Sequence, residues 1–188
     1  KFLLYGHGGN MEEYIQAGSS DFAEICDFYK MICDKQADDE YGADWHYGIY
    51  PSEEDLKKSL EKSEIHVCKI DGKIVSAVVL EESADPMYHD VDWKIQCPDD
   101  EVLTIHLFTV HPDYRGRQIS GKMMEYMFEY GKKNGFKSVQ LDVLKGNVPA
   151  EKLYIKNGFD FVEEREVWYE DTGDLIAHLY EKDLESSM

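Results

Sequence analysis

Apolar positions along the chain switch between a helical period and short unbroken runs, and the switches mark its elements. Phe22, Ile25, Cys26, Tyr29, Ile32 and Cys33 lie on one face of a 3.6-residue period, which predicts a helix. Ser20 or Asp21 would cap it, with Glu24 completing a capping box from Asp21. A short strand is predicted ahead of it, over 14–18. Pro51-Ser52-Glu53-Glu54-Asp55 opens a second short helix carrying Leu56 and Leu60. Residues 65–70 and 73–80 are apolar runs joined by Asp71-Gly72, a two-residue hairpin turn. A further strand over 103–110 leads to a helix with Ile119, Met123, Met127 and Tyr130 on one face, ended by Asn134-Gly135. Residues 139–144 form a strand. Asn147 and Pro149 then open a helix that Gly158 closes. Strands over 159–170 and 175–182 flank the turn Asp171-Thr172-Gly173-Asp174. The order β-α-α-β-β-β-α-β-α-β-β predicts a mixed sheet in an α/β or α+β domain.

There is no internal repeat and no linker, so residues 11–188 read as one domain. Residues 1–10 end in Gly-His-Gly-Gly-Asn and read as an artificial remnant ahead of a natural start at Met11, which removes His7 from the candidate ligands. Residues 81–101 form a long connection with eight acids against Lys94. Long connections are often functional, the alternative being a solvated loop with Trp93 tucked beneath it.

Charge narrows the partners. The net charge of −19 disfavours nucleic acid and anionic membrane, both of which would be repelled. No apolar run approaches the roughly 18 residues of a membrane span. The four cysteines, 26, 33, 68 and 97, show no metal-type spacing and read as reduced thiols, which suits a cytoplasmic protein. Against this acidic background, residues 112–137 hold six Lys/Arg and three acids, a local charge of +3. They include Arg115, Gly116, Arg117, Ser120 and Gly121, between the strand over 103–110 and the helix from Ile119. A glycine- and arginine-rich turn opening a helix makes a phosphate cradle, because close backbone, free N–H groups and the positive helix end all favour an anion. Gly116 to Lys122 also fits a nucleotide-binding P-loop except at its last position, where Met123 cannot hold Mg²⁺ as the pattern's Ser or Thr would.

Three segments carry a family resemblance. Leu107-Phe108-Thr109-Val110-His111-Pro112-Asp113-Tyr114-Arg115-Gly116, Leu141-Asp142-Val143, and the run from Asn147 through Ala150, Leu153-Tyr154-Ile155-Lys156 to Gly158-Phe159 stand in order. Together they resemble the GNAT superfamily of acyl-CoA N-acyltransferases. The resemblance implies a central twisted mixed sheet of six to seven strands flanked by about four helices. It implies direct acetyl transfer from acetyl-CoA to a primary amine in a ternary complex, without a metal. Backbone around Phe108, Thr109 and Val110 would pair with the pantetheine arm. Arg115, Gly116, Arg117, Gln118, Ile119, Ser120 and Gly121 would hold the diphosphate, with Asn147, Tyr154 and Lys156 completing the cofactor contacts. The family's signature has small residues where this chain has Gln118 and Ser120.

Tyr154 matches the family's proton donor to the departing thiolate. His106 stands where many members carry a glutamate base, and its ordinary pKa near 6.5 suits proton removal. Asp142 and His111 are weaker base candidates, and Glu101 and Asp100 read as solvated. Trp45, Tyr47, Tyr50, Trp93, Trp168 and Tyr169 are candidates to shape a pocket for a small-molecule or peptide amine. A homodimer, a different acceptor and a non-catalytic acyl-CoA-binding domain of the same fold stay open.

Overall fold

Every residue of the run 74–80 is buried, because both faces of its strand are covered. Alternate side chains divide between two cores: Val75, Val78 and Leu80 enter one, and Ile74, Ala77 and Val79 the other. The computed structural model describes residues 2–5, 11–36, 39, 41, 43–169 and 172–185. Its strands are β1 (Phe2–Tyr5), β2 (Met11–Gln16), β3 (Ile65–Ile70), β4 (Lys73–Glu81), β5 (Val102–Val110), β6 (Ser138–Leu144), β7 (Asp160–Tyr169) and β8 (Gly173–Asp183). The helices are α1 (Phe22–Gln36), α2 (Glu53–Glu61), α3 (Ile119–Lys133) and α4 (Val148–Lys156). One sheet runs β1-β2-β3-β4-β5-β6-β8-β7, antiparallel throughout except between β5 and β6.

Strands β2–β8 and the four helices are the mixed architecture expected of the sequence. Two differences lie at the N-terminus. The strand expected over 14–18 begins at Met11, and Phe2–Tyr5 adds an edge strand antiparallel to it. His7 with the rest of 6–10, and the turn residues Glu170 and Asp171, lie outside the described residues.

The expected helical faces are the buried ones. On α1, Ile25, Cys26, Tyr29 and Ile32 pack with Leu56 of α2 against Val67, Ala77, Val79 and Leu107. On α3, Ile119, Met123 and Met127 pack on the opposite face with Leu103, Ile105 and Tyr180. Gly131 lets α3 approach closely, since a Cβ there would meet Leu184 Cδ1 at 2.7 Å. The acidic connection after β4 is strapped down. Tyr88 and Val91 pack on Val167, Ala177 and Leu179, with Trp93 tucked against them. The buried Glu181 carboxylate accepts the N–H groups of Lys94 and Ile95. The four cysteines are free thiols, two of them buried. Among the described residues no helix is long and apolar enough to cross a membrane.

His66 of β3 is fully buried beside α3. Its Nδ1 lies 2.7 Å from the Tyr126 hydroxyl, and its Nε2 has no hydrogen-bond partner among the described residues. Burial pushes its pKa down to about 4. An unfolded chain would take up that proton near pH 6.5. Between these values the unfolded state binds more protons, so stability rises with pH. The His66 contribution is complete above 6.5 and lost as pH falls through 4. It amounts to about 3 kcal/mol at 1.36 kcal/mol per pH unit. Urea unfolding of wild type and His66→Phe between pH 7 and 4 measures it. The wild type should lose about 3 kcal/mol more than the variant across that range; parallel pH profiles would contradict it.

Candidate functional site

Strands β5 and β6 start side by side and then part. They pair only at Val102↔Ser138, Leu103↔Val139 and Thr104↔Gln140, so residues 105–110 and 141–144 line an open gap. The cause lies in β5. Leu107 adopts φ 52°, and the register against β4 shifts from Ala77↔Thr109 to Val79↔His106, a bulge that bends the strand. A leucine in the left-handed region costs roughly 1–2 kcal/mol, so the surroundings must hold it there. The buried Tyr29 hydroxyl of α1 donates to the Leu107 carbonyl at 2.9 Å, and the Ser76 hydroxyl to the Thr109 carbonyl at 2.8 Å.

The turn after β5 delivers the chain to α3. Gly116 has φ 77° and Gln118 φ 62°. Gln118 thus occupies a left-handed position that suits glycine, the physical sense of the small residue in the family signature. Lys122 N–H is the first to close on the Gln118 carbonyl, so the amides of Ile119, Ser120 and Gly121 have no partner one helical turn back. Ile119's side chain turns into the core, and a Cβ on Gly121 would meet nothing within 4 Å. Half of the basic island's six Lys/Arg are ion-paired among the described residues. Arg115 Nη2 lies 2.9 Å from Asp39 Oδ2, Lys122 2.7 Å from the buried Glu12, and Lys137 2.7 Å from Glu101. Arg117 stacks on Tyr114 at 4.8 Å. Lys122 is engaged by Glu12, and Met123, at the position of the P-loop pattern's Ser or Thr, is fully buried.

Beside the gap lies a cavity of about 690 Å³, walled by α2, the ends of β4, β5 and β6, Asn147 and α4, and covered by Asp85, Met87 and Tyr88 of the acidic connection. A smaller cavity of about 110 Å³ borders Thr109 and Arg115 and shares Phe108, Asn147, Ala43 and Trp45 with the larger one. His106 and Tyr154 both line the larger cavity. His106 is one-fifth exposed, with Nε2 3.3 Å from Glu81 Oε2 and 3.9 Å from Asp85 Oδ2. Burial alone would lower its pKa; the Glu81 hydrogen bond and the charges of Asp142, Asp85 and Glu81 outweigh it and hold the imidazole above its ordinary value. Tyr154 is 7% exposed, and its hydroxyl makes no hydrogen bond among the described residues. Burial, then the Asp142 charge, hold the phenol pKa well above the usual range, so it stays protonated. The carboxylates of Asp44, Asp55, Glu64, Glu81, Asp85 and Asp142 border the cavity against Lys58 and Lys62. Burial raises the Glu64 pKa.

The remaining sequence candidates separate. Asn147 caps α4, its Oδ1 accepting the Ala150 N–H at 3.2 Å, while facing both cavities. Val110 and residues 116–121 line neither cavity, and Lys156 is exposed at the end of α4, also bordering neither. Asp142 borders the larger cavity; His111 instead accepts the Asp113 N–H in the turn after β5. Glu101 is paired with Lys137 and Asp100 is exposed. Of the aromatics, Trp45 and Tyr50 reach the cavity, Tyr47 packs in the α1–α2 core, Trp93 lies under the strap and Trp168 is 63% exposed. The Tyr169 side chain lies outside the described residues. Sequence reasoning missed Glu81, Asp85 and Tyr88. They stood in or beside an acidic run that reads as solvated, and only Glu81's place at the end of an apolar strand singled it out. Among the described residues no group of three or more His, Cys, Asp or Glu side chains is arranged to hold a metal ion.

Comparison with known proteins agrees with this geometry. Residues 24–159 match the model of the acetyltransferase (GNAT) family, and the chain belongs to that family. It is 36% identical over 101 residues to an uncharacterized N-acetyltransferase of Methanocaldococcus jannaschii, covering 54% of this chain and 39% of that protein. It is 31% identical over 108 residues to the probable N-acetyltransferase camello of Xenopus tropicalis, covering 56% and 43%. The chain thus matches about two-fifths of the length of these curated relatives. A GNAT-family acetyltransferase structure from Streptococcus agalactiae superposes with a TM-score of 0.73 at 16% identity, covering 98% of this chain and 100% of that one.

If Tyr29 holds the bulge, Tyr29→Phe should lower the unfolding free energy by about 1 kcal/mol, the net worth of one buried hydrogen bond. Urea unfolding measures this. A stability equal to wild type would show that the bulge stands without Tyr29.

Proposed function

We propose that the protein is an acetyl-CoA-dependent N-acetyltransferase that acts on a primary amine within a ternary complex. The observation that carries the proposal is the gap between β5 and β6, with His106 and Tyr154 on the walls of the cavity beside it. The chain's residues fit the cosubstrate. The unpaired edge of β5 at 105–110 offers backbone donors and acceptors to the amides of pantetheine. The amides of 119–121, the room above Gly121 and the guanidinium groups of Arg115 and Arg117 suit a diphosphate. Acetyl-CoA supplies an activated acyl carbon and a thiolate leaving group.

The acid-lined cavity suits a cationic amine, which arrives as an ammonium and must lose a proton to attack. His106 takes that proton, directly or through water. The amine nitrogen bonds to the acyl carbon, the carbon–sulfur bond breaks, and Tyr154 gives its hydroxyl proton to sulfur. The second proton that nitrogen sheds once it is bonded to carbon restores the Tyr154 phenol through water, and His106 returns the first to solvent, so the cycle releases one proton and balances. Thermal-shift measurements with acetyl-CoA, CoA and MgATP test the ligand class. Stabilisation by the two CoA species alone supports the proposal. A panel of amines scored by thiol release then identifies the acceptor; no release with any amine would favour a non-catalytic acyl-CoA-binding domain.

Arg115 must leave Asp39 to reach a diphosphate, so its net gain is an exchange of partners. Arg115→Ala should therefore weaken acetyl-CoA binding by about 1.5 kcal/mol, the low end for hydrogen bonds to charged groups. Calorimetry measures it, and equal affinities would remove Arg115 from the site.

Tyr154→Phe keeps the ring and removes the hydroxyl. It should lower kcat by about 10²–10⁴ with acetyl-CoA binding little changed. An unchanged kcat where chemistry limits the rate would exclude the proton-donor role.

A further inference from the structure

We infer that Glu81 is the positioning residue of the reaction's base: its carboxylate receives the His106 Nε2–H and so leaves Nδ1 as the atom that accepts the proton of the amine. This rests on the proposed role of His106.

The sheet register builds the pair. Val79 of β4 lies directly opposite His106 of β5, so Glu81, two residues on, is its diagonal neighbour on the same face. That spacing is within reach of a long side chain, and Glu81 Oε2 stands 3.3 Å from Nε2. The chain just beyond is pinned, since the Thr104 hydroxyl donates to the Ser83 carbonyl at 2.7 Å.

The tautomer follows from the chemistry of the partners. A carboxylate only accepts, so the single proton of a neutral imidazole sits on Nε2. Nδ1 has no hydrogen-bond partner among the described residues, and His106 borders the cavity. Its lone pair is the one left open for a proton. When Nδ1 takes it, the imidazolium forms against a carboxylate already in place.

The groups around the ring come from four directions. Glu81 ends β4, Asp85 belongs to the acidic connection, Asp142 lies on β6 and the Tyr154 phenol on α4. Glu64 and Lys62, which also border the cavity, act on Glu81 through their charges. The His106 hydrogen bond holds the Glu81 carboxyl below its ordinary range against the effect of burial, so it is ionised at neutral pH. Asp85 is farther from Nε2, at 3.9 Å, and already accepts the Met87 N–H.

Histidine ¹⁵N resonances, with His106 assigned by comparison with His106→Asn, read the tautomer in the wild-type protein. The expected result is the Nε2–H form, and an Nδ1–H form overturns the inference even if no Glu81 variant folds. In Glu81→Gln the His106 titration midpoint should fall by roughly one pH unit. The acid limb of kcat/KM should move down with it, and Asp85→Asn should shift both by less. An unmoved midpoint overturns the positioning role while leaving His106 as base. A midpoint that moves while the limb of kcat/KM stays overturns His106 as base, and with it the role of Glu81 in the reaction.

Discussion

The site depends on the bulge at Leu107, whose carbonyl accepts a hydrogen bond from the buried hydroxyl of Tyr29. That hydrogen bond joins the α1 core to a bulge that an apolar strand would otherwise not adopt. The bulge turns β5 away from β6 after three paired residues. Every other part of the site uses the resulting gap. The exposed edge of β5, the helix that starts at Ile119, the cap at Asn147 and the phenol of Tyr154 all lie around it. The strain is local, while the packing that holds it spans α1, β4 and β5.

The charge differs between the two cavities beside the gap. Arg115 borders the smaller one, with Arg117 and the first amides of α3 in the turn beyond it, while Glu64, Glu81, Asp85 and Asp142 border the larger one. Under the proposed function, a chain of net charge −19 would take an anion beside Arg115 and a cation among these carboxylates. Asp39 holds Arg115 and Glu12 holds Lys122. Binding of the proposed diphosphate would exchange one ionic partner for another. That moderates affinity and favours a ligand carrying several negative charges over one carrying a single charge.

Periodicity made the helices and most strands legible. Ile25, Tyr29 and Ile32, or Ile119, Met123 and Met127, are buried because the spacing that marks them also faces them inward. The three motifs located the gap, the turn and Tyr154. The bulge itself left no mark, since positive φ usually falls to Gly, Asn or Asp and here falls to a leucine in an apolar run. Long-range ion pairs were equally silent: the basic island gave no sign that Asp39 and Glu12 would neutralise part of it. Glu81 and Asp85 were hidden among neighbouring acids, and only the register of β4 on β5 brings them to His106. Trp168 was a pocket candidate by residue type, but its place near the tip of the β7–β8 hairpin leaves it exposed.

Amide hydrogen exchange with and without saturating acetyl-CoA tests most directly whether the gap is the cosubstrate's seat. The account predicts slowed exchange in two stretches, 105–110 on the open edge of β5 and 116–121 at the start of α3, with the β7–β8 hairpin unchanged. Binding without protection in either stretch, or protection confined to another face of the sheet, would contradict it.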